Sequence, residues 1–160
     1  VQDTHKKATF RELHMAMVAL VGVMNRPQRD EQLLAAAGVS LDRALFPLLV
    51  LAGRFGPIAV GELADRVGRD YTTVSRQLAK LESLGLIVRQ PGQKDRRVTE
   101  ATTTPAGVAM NAAIDTARER MARQIFDRWE DADVDTLTRL LSRFARELEA
   151  VDPALHLRDD

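Results

Sequence analysis

Residues 60–84, VGELADRVGRDYTTVSRQLAKLESL, decide the fold. Two helical stretches, Val60 to Val67 and Tyr71 to Leu84, are separated only by Gly68, Arg69 and Asp70. Two helices joined by so short a glycine-containing turn form a helix-turn-helix. Within the second stretch, Val74, Leu78 and Leu81 stand at i, i+4 and i+7 and make one buried stripe. At about 100° per residue, Thr72, Thr73, Arg76 and Lys80 fall toward the opposite side. These side chains suit a major groove. Arginine can take guanine O6 and N7 together, and threonine can bond an acceptor or touch a thymine methyl. Lys80 is expected to hold a phosphate and not to read a base.

Working toward the C-terminus, Leu86 to Gln90 is β-rich, Pro91 to Arg97 is a charged turn, and Val98 to Thr103 returns as a strand. The hairpin therefore carries Lys94, Arg96 and Arg97 on its loop, next to the second helix. A cationic loop there can reach the neighbouring backbone or minor groove. The net charge of the whole chain is zero, yet residues 68–100 hold seven cations against four anions, a local excess of +3. Residues 101–160 hold eight arginines against twelve acids, an excess of −4. A neutral protein with one basic segment can still grip phosphates locally.

These motifs resemble the MarR family of winged helix-turn-helix transcriptional regulators. Gly61 to Gly68 is similar to the family's first motif helix, and Tyr71 to Arg89 to its recognition helix and first wing strand. Asp95-Arg-Arg97 is similar to its D-x-R wing element, and Thr104-Pro-Ala-Gly107 to the T-x-x-G that opens the next helix. The resemblance covers residues 40 to 107. It implies a homodimer held by the first and last two helices, with a small-molecule pocket between them and the winged domain. It also implies a preference for small aromatic or phenolic effectors. Two positions depart from the pattern: Pro47 interrupts the second main helix, and Thr103 stands where the family usually has Leu.

The flanks agree with this frame. Thr9-Phe-Arg-Glu12 reads as a capping box. The helix it is expected to open carries Phe10, Leu13, Met17, Leu20, Val21 and Met24 at 3–4 spacing, with further apolar residues nearly all round. Asn25 to Gln28 should break that helix, and a short helix is expected over Arg29 to Ala37 with Gly38 as its C-terminal cap. Ser40 is expected to cap a helix through Leu41, Ala44, Leu45, Leu48, Leu49 and Ala52, kinked or shortened by Pro47. Thr104-Pro105 reads as N-cap plus N1 proline, opening a helix that runs to the Glu130-Asp131 region. A last helix from about Asp133 has a seam through Val134, Leu137, Leu141, Phe144, Leu148 and Val151, ended by Pro153. The fold class is thus mainly α with a small β-wing. Residues 1–39 form a dimerisation helix and connector, 40–104 the winged helix-turn-helix, and 105–160 the C-terminal dimerisation helices. Leu13, Leu20, Leu137, Leu141, Phe144 and Leu148 are the expected dimer contacts.

Other function classes fare worse. With no cysteine, disulfides and thiol switches are excluded. His5, His14 and His156 are scattered and lack ligand spacing, so neither a metal nor a cofactor is expected. Asp131, Asp133 and Asp135 cluster at a loop and helix N-terminus, where negative charge is favoured without catalysis. No constellation asks for an enzyme. Lys6-Lys7 before the apolar run Leu13 to Met24 resembles a signal peptide, but no small-residue cleavage site follows and the run is too short for a bilayer. A cytoplasmic protein is the expectation. The sequence supports a sequence-specific regulator of double-stranded DNA, a repressor released from a pseudo-palindromic operator by a small molecule. An effector pocket would draw on His14, Met17, Arg43, Phe46 and Trp129. The alternative is a winged-helix adaptor that reads a protein partner.

Overall fold

The structure is a computed structural model that describes residues 2–150, with side chains described from residue 6. Its elements run α1 (Gln2–Met24), α2 (Pro27–Ala37), α3 (Phe46–Phe55), β1 (Ile58–Ala59), α4 (Val60–Val67), α5 (Tyr71–Ser83), β2 (Ile87–Pro91), β3 (Thr99–Thr103), α6 (Pro105–Phe126) and α7 (Asp131–Ala150). Two compact units are defined, Val1–Arg118 and Glu119–Asp160, the division falling within α6.

In the first unit, α3, α4 and α5 close around a core with the small sheet. Leu48 and Leu49 of α3, Leu63 of α4, and Leu78 and Leu81 of α5 are fully buried, joined by Ile87 of β2 and Ala101 of β3. Each such leucine contributes about 1.5–3 kcal/mol by leaving water. The sheet is antiparallel with strand order β1-β3-β2. Ile58 pairs with Ala101 on one side of β3, and Arg89 pairs with Ala101 on the other. The two-residue β1 was not foreseen in the sequence; it turns the expected hairpin into a three-stranded sheet.

The helix-turn-helix is set by its glycines. Gly68 sits at φ 64°, its N–H donating to Asp65 O while the Arg69 N–H donates to Ala64 O. Gly85, at φ 70°, repeats the pattern with Glu82 O and Leu81 O. In this cap the left-handed residue closes the orphan carbonyls, and only glycine adopts it without strain. The same geometry turns the chain sharply from α4 into α5 and from α5 into the wing.

Several expectations need correction. Helix α1 begins at Gln2, so Thr9 and Glu12 lie inside it and not at its start. Pro27, expected to be part of a break, is the first residue of α2, where its missing N–H costs nothing. Ser40 caps no helix: α3 begins at Phe46, and Pro47 lies in its first turn. The preceding turn is organised by Asp42, whose carboxylate accepts from Ala44 N (2.7 Å) and whose carbonyl accepts from Leu45 N and Phe46 N. Pro47 therefore bends nothing. Helix α6 ends at Phe126, before the Glu130-Asp131 region, and α7 starts at Asp131. Val151, Pro153 and His156 lie outside the described residues.

Thr104 caps α6 as expected. Its hydroxyl accepts from Gly107 N (3.1 Å) and donates to Gly85 O (2.6 Å), and its own N–H donates to Leu86 O (3.0 Å). One residue thus ties the start of α6 to the turn that begins the wing. The helix packs so closely there that a Cβ on Gly107 would collide with the Leu86 carbonyl oxygen.

Helix α7, in the second unit, has no buried residue. Leu137, Leu140, Leu141 and Leu148 are exposed, and Val134 and Phe144 are half-buried. Phe126 and Trp129 stack edge-on at 5.1 Å between ring centres.

Candidate nucleic-acid interface

Helix α5 divides as its sequence requires. Val74, Leu78 and Leu81 are completely buried, while Thr72, Arg76 and Lys80 are exposed. Asp70 caps the helix: Oδ1 accepts from Thr73 N (2.8 Å) and Oδ2 from the Thr73 hydroxyl (2.6 Å). These two bonds hold the Asp70 carboxyl below its ordinary pKa, with the Arg76 charge adding a smaller push. Thr73 is consequently half-buried, and its hydroxyl proton is committed to the cap. Tyr71, unremarked in the sequence, is 55% exposed at the first turn of the helix.

Not every cation of the basic segment faces outward. Arg69 donates to Ala44 O (2.7 Å) and Gln77 Oε1 (2.9 Å), pinning the 39–45 connector to α5. Arg89 is held by Glu82 through its backbone N–H, Nε and Nη2. Among the described residues, Arg76, Lys80, Lys94 and Arg96 are exposed and form no ion pair. Arg76 and Lys80 border a groove of about 400 Å³ with Thr73, Gln77 and the connector residues Asp42, Ala44 and Leu45.

At the wing tip, Gly92 N donates to Val98 O (2.7 Å) and closes the loop. Asp95 grips Arg97 three ways: Oδ1 accepts from the Arg97 backbone N–H and Nε, and Oδ2 from Nη2, at 3.0–3.1 Å. This pairing lowers the Asp95 pKa and raises that of Arg97. The Arg97 side chain is nevertheless 90% exposed. It is aimed and not hidden. Lys94 and Arg96 are exposed beside it.

The expected effector residues are less concentrated. His14 and Arg43 are exposed, Met17 is half-buried and Phe46 is buried. Arg43 lines a groove with residues of α2 and the connector, and the other three are not among its walls. Trp129 lines a separate groove within the second unit, with Phe126, Asp131 and Val134. Of the expected dimer contacts, Leu13, Leu20, Leu137, Leu141 and Leu148 are exposed.

Three structural roles at the interface were missed from sequence: the Asp70 cap, the Arg69 tie and the Glu82–Arg89 pair. An Asp three residues before Thr73, at the start of an apolar-periodic run, is a cap signal that could have found the first. The other two join residues from different elements, and local spacing does not reveal them.

Helix, tight turn, exposed polar helix and adjoining cationic hairpin define a winged helix-turn-helix protein of the DNA-binding class. The family model described as MarR family matches residues 41–99. The chain is 34% identical over 104 residues to the uncharacterized HTH-type transcriptional regulator YxaD of Bacillus subtilis, spanning 65% of this chain and 73% of that one. A MarR family protein from Bacillus stearothermophilus shares its fold, with TM-score 0.74, 18% identity, and coverage of 89% of this chain and 97% of that one. FabT of Streptococcus pneumoniae, solved in complex with DNA, has TM-score 0.61, 17% identity, and coverage of 91% and 99%. The chain belongs to the MarR family. It is a DNA-binding transcriptional regulator and not an enzyme. Among the described residues, no helix is long and apolar enough to cross a membrane.

Proposed function

We propose that the chain acts as a homodimeric, sequence-specific repressor, with residues 40–104 on DNA and residues 1–39 and 105–160 holding the dimer. The observation that carries the DNA reading is the outward face of α5: Thr72, Arg76 and Lys80 are exposed beside a wing whose Lys94, Arg96 and Arg97 are exposed too. Arg76 reads a base, Lys80, Lys94 and Arg96 hold phosphates, and Arg97, oriented by Asp95, enters the groove alongside. Thr73 contributes through its methyl, since its hydroxyl proton is committed to Asp70.

One binding series tests the assignment. Arg76→Ala should relax the selected base at one position of each half-site. Lys80→Ala should weaken all duplexes about equally and lower the salt slope by roughly one unit. Arg97→Ala should cost roughly 1–3 kcal/mol on the operator. Unaltered base selection by the Arg76 variant removes it from reading, and parental affinity for the Arg97 variant removes the wing tip from the interface.

Release by a small molecule is supported by a groove of about 430 Å³ within the first unit, between α3 and α6, lined by Val50, Gly53, Arg54, Asn111, Asp115 and Arg118 among others. That volume suits a small ligand. Asn111 donates to Leu49 O (3.1 Å), while its Oδ1 is buried with no hydrogen-bond partner. A buried, unpaired acceptor costs about 1–3 kcal/mol, which a donor such as a phenol hydroxyl would offset. Titrating phenols and aromatic acids into an operator complex should release DNA, and Asn111→Leu should blunt the response. Release at the same concentration from that variant would place the effector elsewhere.

A further inference from the structure

We propose that Glu82 and Arg89 form a positioning clamp that fixes the wing relative to α5, so that wing and helix meet DNA as one rigid body. The proposal rests on the DNA-contact reading above for its purpose, and on the following geometry for its existence.

The wing leaves α5 through Leu84 and Gly85, and its base is anchored by the buried Leu86 and Ile87. Beyond them the ribbon is thin. Strand β1 supports β3 only at Glu100 and Ala101, so outward of that level two strands stand alone. Two-stranded ribbons are marginal by themselves and twist readily. Arg89 lies opposite Ala101, within the supported span and one residue short of its outer end. There it makes three donations to Glu82: backbone N–H to Oε1 (3.0 Å), Nε to Oε2 (3.0 Å) and Nη2 to Oε2 (2.8 Å). A fourth, longer bond runs from Nη1 to Ser75 O, two turns back along α5 (3.5 Å). The side chains are 26% and 37% exposed, so the pair is held mainly by its geometry. A planar guanidinium on a carboxylate fixes direction as well as distance. Past this point Gln90 and Pro91 are exposed.

Strand β2 runs only two residues past Arg89, to Pro91, and the loop that follows carries Lys94, Arg96 and Arg97 farther out. Play at the clamp is therefore passed outward to the cations of the tip. Held rigidly, the tip meets DNA already in place once α5 is docked; left loose, it must be ordered at each encounter and its contribution falls. Glu82 and Arg89 touch no DNA in this account. They act through Lys94, Arg96 and Arg97.

Two measurements test it. The chain has no cysteine, so Asp65→Cys on α4 and Gln93→Cys on the wing give a clean pair of spin-label sites. The label-to-label distance distribution should be narrow in the parent and clearly broader in Glu82→Ala, without DNA present. Arg89→Lys, which keeps the charge but loses the fork, should fall between. In operator binding at fixed salt, Arg96→Ala should cost about tenfold in the parent and about twofold or less in the Glu82→Ala background. Arg76→Ala should cost the same factor in both. A role in stability alone would lower all affinities together and leave both factors unchanged, which overturns the proposal. An unbroadened distribution in Glu82→Ala overturns it too, whatever DNA binding shows. If Arg76→Ala and Arg96→Ala are both silent in the parent, the DNA-contact reading fails, the purpose assigned to the clamp falls with it, and the label widths alone decide whether the clamp exists.

Discussion

Replacing Leu141 and Phe144 together by Asp should reduce operator affinity by about 10²–10⁴-fold, although neither residue is among the proposed DNA contacts. The expectation rests on the proposed dimer. Leu141 is 47% exposed and Phe144 half-buried on α7, a helix with no fully buried residue. Helix α1 likewise exposes Phe10, Leu13, Val18, Leu20, Val21 and Met24. Apolar side chains exposed in such number along a helix are characteristic of an interface. A two-fold pair sets two recognition helices about one helical turn, ~34 Å, apart, on half-sites about 10 base pairs between centres. Two charges introduced at the seam would separate the subunits and leave each with a single half-site. Light scattering and operator binding check the result together. A parent protein that is monomeric at micromolar concentration, or that binds an isolated half-site as tightly as the full operator, would return α1 and α7 to ordinary surface.

Gly107→Ala should cost about 1–3 kcal/mol in stability, at the upper end of that range, from the addition of a single methyl group. The added Cβ would meet backbone, the Leu86 carbonyl oxygen, which cannot rotate away as a side chain could. That oxygen already accepts from Thr104 N, and the neighbouring Gly85 carbonyl accepts from the Thr104 hydroxyl. The start of α6 would have to withdraw from the wing base and strain both bonds. A neighbouring control, Ala106→Gly, removes a methyl from an exposed position and should cost only the helix-propensity difference, about 1 kcal/mol or less. Denaturant midpoints measure both. A Gly107→Ala midpoint equal to the parent's would mean that the two segments are not so closely packed.

The parts of this protein that were legible in its sequence are those written in local periodicity. Helix α4 spans Val60 to Val67 as expected, the buried stripe of α5 is Val74, Leu78 and Leu81, and the hairpin returns where the turn residues end. Where a residue has two good uses, local reasoning chose between them without a basis. Proline is excluded from a helix interior but welcome in its first turn, so Pro27 suggests a break and Pro47 a kinked or shortened helix where each stands at a beginning. Thr9 and Glu12 have capping chemistry, yet the helix runs through them. Strand β1 has only Ile58 and Ala59, too few for an alternation to be seen, and it exists because β3 offers it a partner. The cations of the site were visible, but their division between outward and internal use was not. Arg76 and Arg89 look alike in a sequence; Glu82 distinguishes them, seven residues from Arg89 and on another element.

The same pairing has a consequence for how copies of this protein coexist at high concentration. Strand β2 is a sheet edge, and an open edge invites pairing with the edge of another molecule. Backbone N–H groups alternate in direction along a strand, so those of residues 89 and 91 point the same way. The Arg89 N–H points away from β3 and is taken by Glu82 Oε1. Residue 91 is a proline and has no N–H to offer. Two successive outward donors are thereby withdrawn from the edge of β2, while the opposite edge, β1, is only two residues long. The sheet presents little template on either side for intermolecular strand addition.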